Sequence, residues 1–413
     1  MQLFPSVDNR KISLTAIRLI VCFLIMKNMI FYLPMADDLF GYTGIFPYPT
    51  YLGLLNYYGL NFLAYPFHLQ LLPEIYLVMM VVLAILYSLG YGGRITGMLL
   101  FIGIMVLKLR NGFILDGSDN VIQVILPFLV IADSHFHFRY TPRKKPATNP
   151  YLKELQGAAV LALMIQVCFV YFFTSLAKIQ GELWLNGTAV YYTMRVHDFM
   201  ATPYNITLTK NHYFVVLSTY FTLFWEMSFA FLIWFRKTKY FVMLGGVMLH
   251  LGIWIFMRID NFSWIMMGSY LIFISDEEYL DFRERVLAHK ITVYIDSWCQ
   301  NCVRFGKLTS RLNIGLIEIA DIRNLNQPET GSLDTGRAMQ EMATVNRKGV
   351  IRYGYPSLIR IALRTPALWL LLPILLLFKL TTLGDLIYQQ VAIKRKIIPF
   401  GCSPTTCLIE ETK

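Results

Sequence analysis

The sequence predicts a polytopic α-helical membrane bundle of about eight helices, followed by a small α/β domain. Hydrophobic residues make up 56% of the 413 residues and charged residues only 15%, a balance that excludes a soluble globular chain. The apolar residues form long runs that end near residue 275. From residue 291 onward, short strand and helix patterns alternate, as they do in a soluble α/β domain.

Eight apolar runs predict the membrane helices, because a span needs about 20 mainly apolar residues. Several runs are shorter, so we expect tilted or re-entrant segments among them. The first run is interrupted by Arg18, Lys27 and Asn28 and has no small-residue cleavage pattern, so a cleaved signal peptide is not expected. The predicted spans are residues 12–33, 74–90, 95–109, 119–133, 157–177, 213–235, 240–257 and 262–275.

Lysine and arginine are distributed unevenly between the predicted connections, and this asymmetry orients the bundle. The 134–156 segment is rich in basic residues, whereas the long connection at 34–73 has no lysine or arginine. Basic residues favour the cytoplasmic side, so we expect both termini in the cytoplasm and Lys178 near the outer face. The net charge of +11 follows from this topology and not from nucleic-acid binding, because no basic stripe with interleaved aromatic residues is present.

The composition changes abruptly after the last predicted span. A further apolar run at 367–380 contains Pro373 and is too short to cross a bilayer, which predicts a buried or surface-docked helix. The resulting division is a membrane domain at 10–275, a charged connector at 276–290, an α/β domain at 291–400 and a cysteine-containing tail at 401–413.

A Cys-x-x-Cys motif lies between the first predicted strand of the α/β domain and the helix that follows. The dipole and free N–H groups at a helix N-terminus favour a thiolate on the first cysteine. We therefore predict that Cys299 attacks and that Cys302, one turn later, resolves the mixed disulfide. Arg304 and Lys307 add positive charge nearby. In a cytosolic setting this pattern is typical of a thioredoxin-like redox site.

Two other interpretations of these cysteines stay open. Cys402 and Cys407 provide two further thiols, so the four together are a possible structural zinc site, and inert thiols are the remaining alternative. We favour redox chemistry and expect no metal. Cys22 and Cys168 lie inside apolar runs and are predicted to be inert core thiols.

Charged residues within or beside the apolar runs are candidate functional sites, because their burial in a membrane is costly. A lysine desolvated at a helix end can act as a base, so Lys178 is a candidate, with snorkelling to the interface as the simpler alternative. His250 is more often a satisfied core histidine than a ligand. The full set is Arg18, Lys27, Asp116, Asp119, Lys178, Glu226, His250, Arg258 and Asp260.

The redox segment resembles the DCC family of thiol-disulfide oxidoreductases, whose signature is a strand ending in Tyr-Asp-Gly-x-Cys-x-x-Cys. Asp296, Cys299 and Cys302 match, Ser297 replaces the glycine, and the tyrosine is displaced by one position to Tyr294. The resemblance implies a thioredoxin-like fold and disulfide reductase activity.

The end of the domain resembles the same family. GDLIYQQVAIKRK at 384–396 is similar to its closing helix with a Gly-Asp pair, and the apolar run before it has a counterpart there. We therefore place Asp385, together with Asp296 and Trp298, in supporting positions around the cysteines.

The membrane part resembles the HTTM domain that is shared with vitamin K-dependent gamma-carboxylase. The resemblance rests mainly on the motif FFTSLAKIQGELWLNGTAVYY, which contains Lys178, Trp184 and Gly187. Three further segments also fit the domain: LTAIRLI, LRNGFILDGSDN and HLGIWIFMRIDNF. In the carboxylase that lysine deprotonates a reduced quinone. The resemblance implies a base role for Lys178, supporting roles for Trp184 and His250, and a quinone as possible cofactor. The same domain occurs in bacterial membrane proteins that help to mature secreted peptide toxins.

Three functional hypotheses follow. The leading one is a protein-disulfide oxidoreductase of the bacterial inner membrane, coupled to a quinone or to a secreted peptide. The second is a membrane factor for maturation or export of a secreted peptide, without redox turnover. The third is a quinone-dependent carboxylase or epoxidase. The expected partners are the lipid bilayer and a secreted peptide or a thiol/disulfide protein, and nucleic acid is not expected.

Overall fold

The computed structural model describes residues 7–68, 72–135, 149–324, 333–381 and 383–393. The chain divides into two compact units, Met1–Glu278 and Tyr279–Lys413, and each is described by itself. Cys402 and Cys407, the closing residues 394–400 and most of the predicted basic 134–156 loop lie outside the described residues.

The first unit contains eight main helices, which coincide with the eight predicted apolar runs. They are α1 (Lys11–Tyr32), α2 (Leu72–Ser88), α3 (Arg94–Arg110), α4 (Gly117–Ile131), α5 (Pro150–Ile179), α6 (His212–Leu232), α7 (Lys239–Met257) and α8 (Asp260–Ser269). Shorter helices lie between them at Ala36–Phe40, Tyr48–Tyr57, Glu182–Leu185, Ala189–Thr193 and Tyr204–Thr209.

The predicted number of about eight membrane spans is wrong for the described part of the chain. Four helices there are long and apolar enough to cross a membrane: Lys11–Phe40, α5, α6 and α7. A bent pair in the second unit, Pro366–Leu380 with Leu383–Gln390, makes five if it is counted as one span. Length is the physical reason for the difference, since α2 and α4 are apolar but have only 17 and 15 residues. At 1.5 Å per residue, α2 reaches about 26 Å, short of a hydrocarbon core of about 30 Å.

Most charged residues that the sequence flagged in the first unit have structural partners. Arg18 is fully buried and donates to the carbonyl oxygen of Ser134 at 2.7 Å. Lys27 forms an ion pair with Asp260. Asp116 caps the N-terminus of α4 and accepts a hydrogen bond from the backbone N–H of Ser118 at 2.7 Å. Their roles in the fold are explained without a ligand.

The first unit ends at Glu278, in the first turn of the connector helix α9 (Asp276–Leu287). Glu278 accepts hydrogen bonds from Lys239 Nζ on both carboxylate oxygens, at 2.6 and 2.7 Å, and one from the backbone N–H of Ser275 at 2.9 Å. Burial acts to raise the pKa of Glu278, but the hydrogen bonds from Lys239 and Ser275 outweigh it and lower the pKa to about 2.

Acid should therefore remove the stabilisation that Glu278 provides. Its folded pKa lies below the ordinary value of 4.5, so the contribution is complete above pH 4.5 and disappears as the pH falls to about 2. We expect Glu278→Gln to lower the free energy of unfolding by about 1–2 kcal/mol at neutral pH, because solvent screens part of the interaction, with the difference from the parent closing in acid. Unfolding of the full chain in detergent across this pH range measures it. The exposed neighbour Glu277 supplies the control Glu277→Gln, and equal effects of both variants would refute the assignment.

The second unit is built on a four-stranded mixed sheet with the order β2-β1-β3-β4. The central strand β1 runs parallel to β2 from Ile291 opposite Ile317, and antiparallel to β3 from Ile291 opposite Asn346. The strands β3 and β4 form a hairpin, and Gly349 takes φ 77° in its turn. The strands are β1 (Ile291–Ile295), β2 (Ile317–Asp321), β3 (Ala343–Asn346) and β4 (Ile351–Tyr353).

Helices cover this sheet and continue beyond it. They are α10 (Gln300–Leu312), α11 (Thr335–Gln340), α12 (Tyr355–Ala362), α13 (Leu372–Leu380) and α14 (Leu383–Ile393). The predicted apolar helix at 367–380 divides into a 3₁₀ segment, Pro366–Leu371, and α13, with Pro373 in the first turn. None of its residues is buried, so the buried alternative is wrong.

Candidate functional site

The cysteine pair lies where β1 ends and α10 begins. Cys299 is the N-cap of α10, and its Sγ accepts a hydrogen bond from the backbone N–H of Cys302 at 3.3 Å. The two cysteines form a disulfide, with Cα atoms 5.1 Å apart. The strand–cysteine–helix order predicted from the sequence is therefore present, and the helix N-terminus faces Cys299 as that prediction requires.

The two cysteines differ in accessibility. Cys299 is 1% exposed, whereas Cys302 is partly exposed and lines a cavity of about 380 Å³. The cavity is lined mainly by apolar and aromatic side chains, among them Phe305, Met342 and Tyr355. A cavity of this size and composition suits a small apolar molecule or the apolar side chains of a peptide. An incoming group therefore meets Cys302 before Cys299.

Asp296 joins the cysteine loop to the end of the neighbouring strand. It is 2% exposed and accepts hydrogen bonds from Arg323 Nε at 2.5 Å and Nη2 at 2.9 Å. The backbone N–H of Trp298 also donates to Asp296, at 3.0 Å, and the Arg323 guanidinium lies 3.8 Å from the centre of the Trp298 ring. Hydrogen bonding to Asp296 raises the pKa of Arg323. Asp296 and Trp298 thus hold the loop in place, as supporting residues would.

Sequence reasoning did not single out Arg323. Its position just after β2 could have indicated it, because the carboxyl ends of the adjacent parallel strands β1 and β2 meet at one edge of the sheet. Asp385 was singled out but does not line the cavity. It is exposed in the first turn of α14, where the helix dipole favours a carboxylate. Its neighbour Gly384 does line the cavity and packs against the Tyr355 ring without room for a Cβ atom.

A second polar cluster lies in the first unit around Lys178, at the C-terminal end of α5. Lys178 forms an ion pair with Glu226 of α6, and its Nζ lies 5.0 Å from the centre of the Trp184 ring. Thr174 Oγ1 donates to the other carboxylate oxygen of Glu226 at 3.5 Å. The structure therefore brings together the predicted base Lys178, the predicted support Trp184, and Glu226.

His250 belongs to a neighbouring buried group. Its Nε2 is hydrogen-bonded to the hydroxyl of Tyr171 at 2.7 Å, and that hydroxyl is also hydrogen-bonded to Tyr270. His250 Nδ1 is buried and has no hydrogen-bond partner among the described residues. Tyr171 and Thr174 are three residues apart on α5 and share a face, so the two groups are adjacent along that helix.

Metal binding was the main alternative for the cysteines. Within the described ranges, no group of three or more histidine, cysteine, aspartate or glutamate side chains is arranged to hold a metal ion. The proposed zinc site also required Cys402 and Cys407, which lie outside those ranges.

Comparisons with known proteins agree with both motif resemblances. Residues 12–277 match the HTTM domain, and residues 293–399 match the DCC1-like thiol-disulfide oxidoreductase domain, in the predicted order. The long apolar helices together with this match make the chain a membrane protein.

Two proteins of Bacillus subtilis strain 168 are similar to the chain. An uncharacterised protein, YitO, is 25% identical over 203 residues, which cover 47% of this chain and 65% of YitO. Sporulation-delaying protein SdpB is 23% identical over 236 residues, which cover 55% of this chain and 68% of SdpB. About a third of each relative therefore lies outside the similarity. No solved structure has significant similarity to the chain.

Proposed function

Because the chain belongs to the HTTM domain family and carries a DCC1-like segment behind that domain, we propose that it is an integral-membrane thiol-disulfide oxidoreductase of the bacterial inner membrane. The observation that carries the proposal is the Cys299–Cys302 disulfide at the N-terminus of α10, with one sulfur in the wall of an apolar cavity. The sheet order supports a thioredoxin-like fold, in which the central strand leads directly into the cysteine helix.

The exchange reaction follows from the disulfide. A thiolate of a substrate dithiol attacks Cys302 Sγ, the Cys299–Cys302 bond breaks, and Cys299 leaves as a thiolate. The second substrate thiol loses its proton and attacks the mixed disulfide, which releases Cys302. The substrate is then oxidised to a disulfide, and the cysteine pair has gained two electrons and two protons. A second disulfide reoxidises the pair by the same steps in reverse.

The burial of the two cysteines supports this division of roles. Cys302 is the sulfur that lines the cavity, so access favours it as the atom that bonds to the substrate. The helix N-terminus and the Cys302 N–H stabilise negative charge on Cys299, which suits a leaving thiolate. This exchanges the roles that the motif alone suggested, in which Cys299 attacks first. The earlier assignment remains the alternative, and cysteine variants distinguish the two.

The proposal is tested with the full chain purified in detergent or nanodiscs. We expect the parent protein to accelerate disulfide exchange between a two-cysteine peptide with apolar flanking residues and oxidised glutathione. The Cys299→Ser/Cys302→Ser variant provides the background rate. A thiol-specific maleimide should label the pair only after dithiothreitol treatment. Equal rates for the parent and the double variant would refute the redox function.

A second candidate function involves no redox turnover of the cysteines and assigns the function to the membrane unit. Similarity to sporulation-delaying protein SdpB over more than half of this chain favours it. The HTTM domain also occurs in bacterial membrane proteins that help to mature secreted peptide toxins. In this version the membrane unit binds a secreted peptide near Lys178 and Glu226. It predicts that the double cysteine variant still supports peptide maturation in cells. The carboxylase or epoxidase alternative stays a prediction that depends on Lys178.

A further inference from the structure

The second unit carries an apolar surface that its own fold does not cover. We call residues 366–381 and 383–390 the apolar hairpin. No residue from Pro366 to Leu380 is buried, and Leu370 and Leu380 are 90% and 83% exposed. Soluble proteins rarely expose a contiguous apolar surface of this kind unless it binds a partner or a membrane. The large exposed apolar side chains are Trp369, Leu370, Leu371, Ile374, Leu376, Leu377, Leu380, Leu383, Leu386 and Ile387.

Contacts on its inner side hold the apolar hairpin in one conformation. The Tyr355 hydroxyl donates to the carbonyl oxygen of Leu375 at 2.8 Å, and Gly384 packs against the same tyrosine ring. The Tyr388 hydroxyl accepts a hydrogen bond from the backbone N–H of Met342 at 2.8 Å. Because polar and close-packed contacts lie on one side, the leucines on the other side form a defined outer surface.

The sequence that contains the apolar hairpin is strongly basic. Between residues 342 and 400 the sequence has nine lysine or arginine residues and one acid, Asp385. Among the described basic residues, Arg347, Lys348, Arg352 and Lys379 are exposed. Apolar side chains combined with exposed basic residues match an anionic membrane surface, since each basic residue near such a surface contributes about 1 kcal/mol.

The geometry indicates a segment that lies in a membrane surface and does not cross it. The arm Pro366–Leu380 consists of the six residues of the 3₁₀ segment and the nine of α13, fewer than the about 20 residues that a straight span needs. It is bent by 102° from α14, so the two do not form one straight span. The chain continues from membrane helices through α9 into this unit, and this covalent link raises the local concentration of bilayer around the apolar hairpin.

We infer that the apolar hairpin is an interfacial anchor, which inserts its leucines into an anionic leaflet of the bilayer. The anchor does not depend on the proposed redox reaction. It has a consequence for that reaction, because Gly384, Ile387 and Tyr388 of α14 line the cavity beside Cys302. Insertion therefore brings the wall of the cavity to the lipid surface, where thiol substrates with apolar segments concentrate.

Photo-crosslinking in the full chain tests this inference. Benzoylphenylalanine is introduced at Leu370 or Leu380, and the protein is placed in nanodiscs that contain phosphatidylglycerol and an alkyne-tagged lipid. The matched control is the same probe at Leu308, an exposed leucine of α10 in the same unit. We expect several-fold more lipid adduct at 370 and 380 than at 308. Equal yields, or adducts only with protein, would overturn the anchor in favour of no partner or of a protein partner.

Two further experiments test the lipid charge and the apolar side chains on which the anchor depends. Replacing phosphatidylglycerol with phosphatidylcholine should lower the adduct at 370 several-fold, and an unchanged yield would overturn the electrostatic part of the inference. Leu370→Asp/Leu380→Asp, probed at Leu377, should lose the lipid adduct while the maleimide pattern of Cys299 and Cys302 stays that of the parent. An unchanged pattern reports that the cysteine site is intact. We expect this result because the replaced leucines face outward.

Discussion

Replacing Cys299 with serine should let Cys302 attack a disulfide-activated cysteine of a peptide, displace its leaving thiol and remain in a trapped mixed disulfide, whereas Cys302→Ser should trap little. Both single variants should reduce catalysed exchange to the uncatalysed rate, because each removes one of the two sulfurs that form the disulfide. The asymmetry between the traps is the specific prediction. It follows from the exposure of Cys302 in the cavity wall and the burial of Cys299.

The measurement uses the full chain and a peptide whose one cysteine is activated as a disulfide with a small leaving thiol. Non-reducing gel electrophoresis after acid quenching reports the amount of mixed disulfide, and Cys22→Ala controls for the loss of a thiol elsewhere, since Cys22 is a buried cysteine of α1. If Cys302→Ser accumulates the mixed disulfide and Cys299→Ser does not, the accessible sulfur is not the reactive one. The helix N-terminus would then determine the roles, as the motif alone suggested.

The second large effect is expected at the ion pair of Lys178 and Glu226. Lys178→Met leaves the Glu226 carboxylate without its ammonium partner, and that side chain is only 8% exposed. Breaking a buried pair in this way costs about 3–5 kcal/mol of unfolding free energy. The double variant Lys178→Met/Glu226→Gln removes both charges and should recover most of that loss.

The pair formed by Lys27 and Asp260 is the matched control, because its side chains are 38% and 40% exposed. Lys27→Met should cost less than about 1 kcal/mol. Thermal unfolding in detergent measures both variants. Equal destabilisation by Lys178→Met and Lys27→Met would contradict the assignment of Lys178 to a buried structural pair.

The double variant at Lys178 and Glu226 also separates structure from chemistry. If Lys178 serves only to pair with Glu226, the folded double variant keeps the function of the membrane unit. If Lys178 is a base toward a reduced quinone, the double variant folds but forms no quinone epoxide. Quinone turnover by the parent protein is the reference measurement, and its absence would remove the carboxylase or epoxidase alternative.

The sequence by itself determined the division into a membrane part and an α/β part, the helical character of the eight apolar runs, and the strand–Cys-x-x-Cys–helix order. These features depend on local information: apolar periodicity, the distribution of charge, and a motif of four residues between a strand and a helix. The two domain families also followed from short motifs around Lys178 and around the cysteines, and the comparisons confirmed both.

Only the tertiary structure decided which groups meet. Glu226 pairs with Lys178 across 48 residues of sequence, and Arg323 pairs with Asp296 across 27. No periodic sequence pattern indicates contacts at such separations. Exposure was decided in the same way, since packing buries Cys299, opens Cys302 to a cavity and leaves the leucines of 366–380 uncovered. The number of spans changed because helix length, and not apolar character, limits which helices can cross a bilayer. Pairing and burial depend on how distant elements pack, and a single sequence does not specify that packing by local pattern.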